Sequence, residues 1–215
     1  MTHAFHKNLT KGVSKWPNKS ECRDFTTPEE MTDTLVNNIN QCVQPDDTLF
    51  HLGDWSFHSI GNIFAFRGRI KCKNIHLILG NHDNELYADE SCHSLFSSID
   101  FYREININGR KIVLCHYPIS TWNKCHHDSW MLHGHCHGKL QHQIPAQLLK
   151  HLIDKGQWDI IRKLANNEQV PGITPNGKRM DVGVDTHPEF RPYSITEIDE
   201  IMKHRFFVQT DNHAG

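Results

Sequence analysis

Five short polar clusters of this sequence contain residue types that bind divalent metal ions and transfer protons. In chain order they are TH at 2–3, GD at 53–54, GNHD at 80–83, His116 alone, and GHCHG at 134–138. They combine carboxylate, carboxamide and imidazole groups, a mixture that suits manganese, iron or zinc better than calcium. Because these donors outnumber the ligands of one tetrahedral site, the pattern favours two metal ions that share a ligand.

The clusters differ in specificity when each is taken alone. A Gly-Asp pair after an apolar run is typical of a turn, and GNHD can be a turn with a solvated histidine. His116 can be a hydrogen-bonded residue at a strand end. GHCHG is more specific, because two imidazoles one residue apart in a glycine-flanked loop can face the same point. The prediction of a metal site therefore depends on all five clusters together.

Short apolar runs lead into four of these clusters and predict the strands that position them. The runs are TLFHL before GD, NIHLIL before GNHD, KIVLC before His116, and SWML before HGHCHG. Because each run stops at metal-type residues, we expect a site along the carboxyl edge of a sheet, where loops converge. The stretch YREININGRKIVLCHYP is expected to form a hairpin about Asn108-Gly109, a pair suited to a type I′ turn.

A helical pattern precedes the first of these strands. TTPEEMTDTLVNNINQCV predicts a helix with Thr27 as N-cap, Pro28 at the first position and Glu30 completing a capping box. An apolar residue recurs at every fourth position, at Met31, Leu35, Ile39 and Val43.

The second half of the chain contains two further helical regions. LLKHLIDKGQWDIIRKLA predicts two short helices separated by Gly156, within a segment of about 139–174. This segment is either a packed surface hairpin or a substrate lid. GKRMDVGVDTHPEF indicates a return to strand and turn, and SITEIDEIMKH a terminal helix capped by Ser194 or Thr196.

Composition narrows the function classes. The chain has 215 residues and a formal net charge of −2, so it suits one domain and does not favour binding to long nucleic acid or an anionic membrane. Its first residues do not match a signal-peptide pattern, and no apolar run is long enough to predict a membrane-spanning helix. Seven cysteines without a CxxC pair indicate reduced thiols. We expect a cytoplasmic protein.

With these motifs the sequence resembles the calcineurin-like metallophosphoesterases, in particular small bacterial and phage members. The family pattern is DxH, GD, GNH[D/E], H and GHxH, and four of these five motifs are intact and in order here. The resemblance implies a single domain over 1–215 with a helical insertion at about 139–174. It also implies a mixed α/β fold, a β-sandwich flanked by helices, and hydrolysis of a phosphate mono- or diester.

The resemblance also implies a role for each motif residue. Asp54 would bridge two metals, Asn81, His116 and His135 would complete the second metal's shell, and His3 and His137 would bind the first. A hydroxide bridging the metals would attack phosphorus, with His82 as general acid and Asp83 orienting its ring. Manganese is the expected metal, with iron, zinc and nickel as alternatives, and the expected partner is a small phosphoester or nucleotide substrate.

The first motif departs from the family pattern. Its aspartate maps onto Met1, and the strand that carries the motif would lie before residue 1. Either the natural product is longer, or the protein works with a first site of His3, Asp54 and His137. The departure also leaves open a non-catalytic metal-binding module on the same scaffold. His6 and Lys7 are expected to contact a substrate phosphate or to lie in a solvated loop, and Asp181 and Asp185 to support the sheet edge.

Overall fold

Two β-sheets with helices packed against them make up the described part of the chain. The computed structural model describes residues 1–140, 146–166, 170 and 177–205. Its strands are β1 Thr48–His51, β2 Asn74–Ile78, β3 Ser98–Asp100, β4 Tyr102–Ile107, β5 Arg110–Cys115, β6 Trp130–His133 and β7 Arg179–Asp181. Its helices are α1 Pro28–Cys42, α2 Ile60–Arg69, α3 Asn84–Ala88, α4 Glu90–His93, α5 Ala146–Asp154, α6 Trp158–Ala165 and α7 Ile195–Lys203.

The first sheet is parallel and carries two of the polar clusters. Its strand order is β1-β2-β3, with Leu49 opposite Ile75 and Leu77 opposite Ile99. The GD cluster follows β1 and the GNHD cluster follows β2. Since these strands are parallel neighbours, both clusters lie at the same carboxyl edge.

The second sheet has the order β4-β5-β6-β7 and carries the other strand-end clusters. β4 and β5 are antiparallel, whereas β5, β6 and β7 are parallel. The predicted hairpin is confirmed: Asn108 and Gly109 have φ of 53° and 80°, the two positive values of a type I′ turn. His116 follows β5 and GHCHG follows β6, so these clusters also share a carboxyl edge.

Helix α1 confirms the capping prediction with a shift of one residue. Thr27 Oγ1 accepts a hydrogen bond from Glu30 N at 3.1 Å. The Glu30 carboxylate accepts from Thr26 N at 2.8 Å, one residue before the position that a capping box uses. Helix α7 has a complete capping box from Ser194 and Glu197, so Ser194 is its N-cap.

Two apolar clusters hold the sheets and helices together. The first packs α1 and α2 on the first sheet and includes Met31, Leu35, Phe66, Ile75 and Leu77. The second lies between the two sheets and α7 and includes Ile78, Ile112, Leu114, Leu132 and Met202. This arrangement confirms the predicted mixed α/β class with two packed sheets.

The two helices predicted within segment 139–174 are α5 and α6. Gly156 lies between them with φ of 64°, a left-handed conformation that glycine adopts readily. Other parts of the segment, 141–145, 167–169 and 171–174, lie outside the described residues, so its role as a packed hairpin or lid stays a prediction. In the described ranges, no helix combines the length and apolar character needed to cross a membrane.

Candidate functional site

The polar clusters meet at one place, together with the first residues of the chain. The N-terminal segment lies along the loop after β1: His3 N donates to Asp54 O at 2.9 Å, and Phe57 N donates to Ala4 O at 2.8 Å. These backbone bonds hold the segment beside the carboxyl ends of β1 and β2. The TH cluster at 2–3 therefore reaches the same site as the four strand-end clusters.

Asp54 lies between imidazoles that come from opposite sides of the site. Its Oδ2 is 3.2 Å from His3 Nε2 and 3.4 Å from His116 Nε2. All three residues are buried, and Asp54 is 2% exposed. One carboxylate oxygen of Asp54 is therefore close to two imidazoles from different parts of the chain.

A second group of donors surrounds the Asn81 carboxamide. Asn81 Oδ1 is 3.0 Å from His116 Nε2 and 3.1 Å from His135 Nδ1. The same nitrogens of His116 and His135 are 3.3 Å apart. The structure thus brings together the three residues that the resemblance assigns to one metal, although their roles as ligands stay predictions.

His137 lies on the other side of Asp54 and packs against His3. The two rings are stacked with centroids 5.1 Å apart and an interplanar angle of 12°. His137 Nδ1 is 2.8 Å from Asp185 Oδ2, and Asp185 also binds the Arg23 guanidinium through both carboxylate oxygens at 2.7 and 2.8 Å. Burial opposes the charged form of Asp185, but Arg23 and His137 outweigh it and hold the pKa of that carboxyl well below its usual range.

The hydrogen bonds on Nδ1 of His116 and His137 leave their Nε2 atoms available as ligands. His116 Nδ1 is 2.8 Å from the Leu52 carbonyl, so Nδ1–H donates and Nε2 carries the lone pair. His137 makes the equivalent bond to Asp185. A carbonyl or carboxylate partner on the far ring nitrogen is typical of metal-binding histidines. On His116, the lone pair then faces Asn81 Oδ1 and Asp54 Oδ2, an arrangement of acceptors that a cation would stabilise.

The donor set fits divalent metal ions. Both ring nitrogens of His3 are buried without a hydrogen-bond partner among the described residues, although Nε2 lies near Asp54. Burial, with the Arg23 charge, lowers the pKa of His3 well below its ordinary value, so the ring is neutral at pH 7, as a metal ligand must be. Within the described ranges, no group of three His, Cys, Asp or Glu side chains is already arranged to hold an ion. The donors therefore match divalent ions in chemical type, but their side chains are not arranged as a closed ligand set.

His82 is adjacent to this cluster, and Asp83 has a different role from the one expected. The His82 backbone N donates to Asp54 Oδ1 at 3.0 Å, and its ring lies 5.4 Å from that of His3. The Asp83 carboxylate accepts from the backbone N–H groups of Asp54, Trp55 and Gly80 at 2.7, 2.8 and 2.8 Å. The expectation that Asp83 orients the His82 ring is thus corrected: Asp83 joins the two strand-end loops, and burial raises its pKa to about 6.

Four of the proposed ligands have a strained backbone conformation. His3, Asp54, His135 and His137 have φ of 51°, 54°, 65° and 48°, values that are uncommon for residues other than glycine. Such conformations persist where surrounding contacts fix them, and they cluster at functional sites. Gly80 supports the close approach of the loops, because a Cβ there would lie 2.4 Å from Asp54 Oδ1.

The structure decides between the two alternatives for His6 and adds Arg23 and Phe57, which the sequence did not identify, to the surroundings of the site. His6 is 6% exposed, so it does not lie in a solvated loop, and its Nδ1 accepts from Leu9 N at 3.0 Å. Arg23 and Phe57 also contact site residues. A cavity of about 280 Å³ opens beside the cluster. Lys7 is exposed, and Asp181 accepts from Gly138 N and Gly183 N, in line with the expected support of the sheet edge.

His51 on β1 predicts a pH dependence of stability. The residue is 5% exposed, its Nε2 is 3.0 Å from Thr2 Oγ1, and its Nδ1 has no hydrogen-bond partner among the described residues. Burial lowers the pKa of His51 well below 6.5. Because the unfolded ring binds a proton near pH 6.5 and the folded ring does not, this contribution to stability is complete above pH 6.5 and is lost as the pH falls below it.

Urea unfolding at pH 7.5, 6.5 and 5.5, in chelator, will measure this effect. We expect the free energy of unfolding of the wild type to fall by about 1 kcal/mol more, between pH 6.5 and 5.5, than that of His51→Gln. The exposed His93→Gln is the matched control and should keep the wild-type pH dependence. Identical pH dependences for wild type and His51→Gln would contradict the prediction.

The chain belongs to the calcineurin-like phosphoesterase family. The family's sequence model matches residues 6–192, and the match confirms the resemblance drawn from the five motifs. Membership indicates metal-dependent hydrolysis of phosphoric esters in general terms.

Two similar proteins extend this comparison. An uncharacterized protein of Methanocaldococcus jannaschii, MJ1445, is 26% identical over 211 residues, which cover 98% of this chain and 93% of that protein. The crystal structure of a protein of unknown function from Aquifex aeolicus, AQ665, is similar with a TM-score of 0.51 and 20% identity. That similarity covers 79% of this chain and 84% of the other, and it supports the fold.

Proposed function

We propose that this protein hydrolyses a phosphate mono- or diester with two divalent metal ions at the imidazole cluster. The supporting observation is the position of Asp54, whose Oδ2 lies within 3.4 Å of imidazoles from both sides of the site. The proposed ligands are His3, Asp54, Asn81, His116, His135 and His137. Manganese is the proposed metal, with iron, zinc and nickel as alternatives.

In this proposal the metal ions and the histidines of the site have separate roles. Divalent ions, when bound, supply Lewis acidity toward phosphoryl oxygens and lower the pKa of water. The Nδ1 contacts of His116 and His137 fix the direction in which those rings present Nε2. The His82 imidazole borders the cavity, where it can hold a proton for the oxygen that leaves phosphorus.

The size of the cavity supports a small substrate. Its volume of about 280 Å³ is at the lower end of the range for small-molecule sites. A small phosphoester or nucleotide has a comparable size, whereas a long nucleic acid would need an extended basic surface. We propose a small phosphoester or nucleotide as the substrate class.

Hydrolysis assays with and without metal will test the proposed function. We expect the chelator-treated protein to be inactive toward aryl phosphate mono- and diesters, and added manganese to restore turnover together with about two metal ions per chain. Zinc, iron and nickel provide the comparison. About one metal per chain, with no hydrolysis of any ester, would instead favour the non-catalytic metal-binding module.

A further inference from the structure

The cavity beside the imidazole cluster has apolar and aromatic lining residues that the proposed chemistry does not use. Its lining includes His82 and every proposed ligand except His116, together with the apolar or aromatic residues Leu9, Trp16 and Phe57. His6 and Asn8 complete the lining. Because phosphoryl transfer needs charges and hydrogen bonds, these apolar residues are available to contact another part of a ligand.

Ring contacts extend from His82 to Trp16. The centroid of the Phe57 ring lies 5.7 Å from the centroid of the His82 ring and 3.5 Å from that of the His6 ring. The His6 ring is 5.9 Å from that of Trp16. The centroid of the His6 ring is also 5.6 Å from that of His3, so the His6 ring alone separates Trp16 from the imidazole cluster, a span that one small ligand can cover.

Trp16 is only partly covered by the protein. It is 38% exposed, whereas Leu9 next to it in the cavity is 5% exposed. Indole rings contribute most to binding energy when a large apolar area becomes buried. A partly exposed indole in the lining of a cavity therefore offers a contact surface for a ligand. Aromatic faces of this kind stack on planar rings irrespective of their hydrogen-bonding groups.

The loop that carries Trp16 is anchored to the site. At its base, Arg23 N donates to Leu9 O at 2.7 Å and Lys11 N donates to Arg23 O at 3.0 Å. Within the loop, Trp16 N donates to Ser14 Oγ at 3.2 Å. Since the guanidinium of Arg23 binds Asp185 beside His137, the same residue positions the loop and supports the imidazole cluster.

We propose that Trp16 forms a stacking surface for a planar aromatic group of the substrate, so that preferred substrates are phosphoesters of a nucleoside or an aryl alcohol. The inference rests on the proposed function, because it places the phosphoryl group at the imidazole cluster. The small cavity volume favours one phosphoryl group and one aromatic ring over a polymer.

Indole N–H resonances of ¹⁵N-labelled protein can test this without turnover. The chain has five tryptophans, and the Trp16 signal is identified by its absence in Trp16→Phe. We expect adenosine 5′-monophosphate to shift the Trp16 signal and ribose 5-phosphate, which lacks the base, to leave it nearly unchanged. The Trp158 signal, from a ring that is 62% exposed on α6, should move with neither compound. Equal shifts of Trp16 with both compounds, or none at millimolar concentration, would overturn the proposal.

Inhibition of manganese-supported hydrolysis gives a second measurement. We expect adenosine 5′-monophosphate to inhibit roughly tenfold more strongly than ribose 5-phosphate in the wild type, in line with one stacked base. Trp16→Ala should lose this preference, Trp16→Phe should retain most of it, and Trp158→Ala is the matched control. A preference that persists in Trp16→Ala would contradict the proposal.

The two measurements distinguish this inference from the proposed function. If the protein hydrolyses no ester but only adenosine 5′-monophosphate shifts the Trp16 signal, the stacking surface is supported and the hydrolase proposal fails. If esters are hydrolysed without any preference for the base, the hydrolase proposal stands and the stacking surface is refuted.

Discussion

Asp54→Asn is expected to lower kcat/KM for manganese-dependent hydrolysis by more than about 100-fold, since changes to residues that only support metal ligands already cost about 10–100-fold. The carboxylate is 2% exposed and lies within 3.4 Å of Nε2 of both His3 and His116. Asparagine has nearly the same shape and can still accept the hydrogen bond from His82 N. The substitution therefore removes the negative charge while changing the packing little.

Metal analysis of the same variant distinguishes a loss of metal binding from a loss of folding stability. We expect Asp54→Asn to retain less than the wild-type number of ions per chain while its thermal unfolding in chelator stays close to that of the wild type. Asp46→Asn is the matched control, because Asp46 forms an exposed ion pair with Lys73. Such pairs contribute about 0–1 kcal/mol, so activity and metal content should be unchanged. An Asp54→Asn protein with wild-type turnover and two bound ions would refute the shared-ligand role.

His82→Ala is expected to lower kcat by about 10²–10⁴-fold for esters with a poorly stabilised leaving group, which is the usual contribution of a general acid. The ring borders the cavity and lies beside His3, but its side chain is not among the proposed ligands. A methyl ester needs a proton on its leaving oxygen, whereas p-nitrophenolate leaves without one. The loss should consequently be much smaller for p-nitrophenyl esters.

The dependence on the leaving group is the decisive measurement for His82. Metal content should be unchanged, and His93→Ala, which alters an exposed histidine on α4, serves as the control. If His82→Ala slowed methyl and p-nitrophenyl esters equally, His82 would act in binding or positioning, and the general-acid role would be rejected.

Elements with strong local signals were predicted well from the sequence. Helix α1 has a cap, a proline at its first position and apolar residues at every fourth position, and the hairpin at Asn108-Gly109 is fixed by the two positive φ values. These signals depend on neighbours within one or two turns of the chain, so they can be read without knowing the fold.

Elements with weak local signals were missed. Helix α2 contains two glycines, Gly61 and Gly68, and its buried residues are Ile63 and Phe66. Its N-cap, Ser59, has an unusual φ of 76°. β3 has only three residues, and its pairing with β2 comes from the packing of the sheet. Where local preference is weak, tertiary contacts decide the secondary structure.

By itself, the sequence determined the family and the inventory of chemical groups at the site, because the motifs consist of residue types in a fixed order at strand ends. Only the tertiary structure decided which groups touch. In the structure, Arg23 binds Asp185, and the Asp83 carboxylate accepts from three backbone N–H groups instead of contacting the His82 ring. Trp16 lies in the lining of the cavity. The physical reason is that these contacts join segments far apart in the chain, whose meeting depends on how the two sheets and their loops pack.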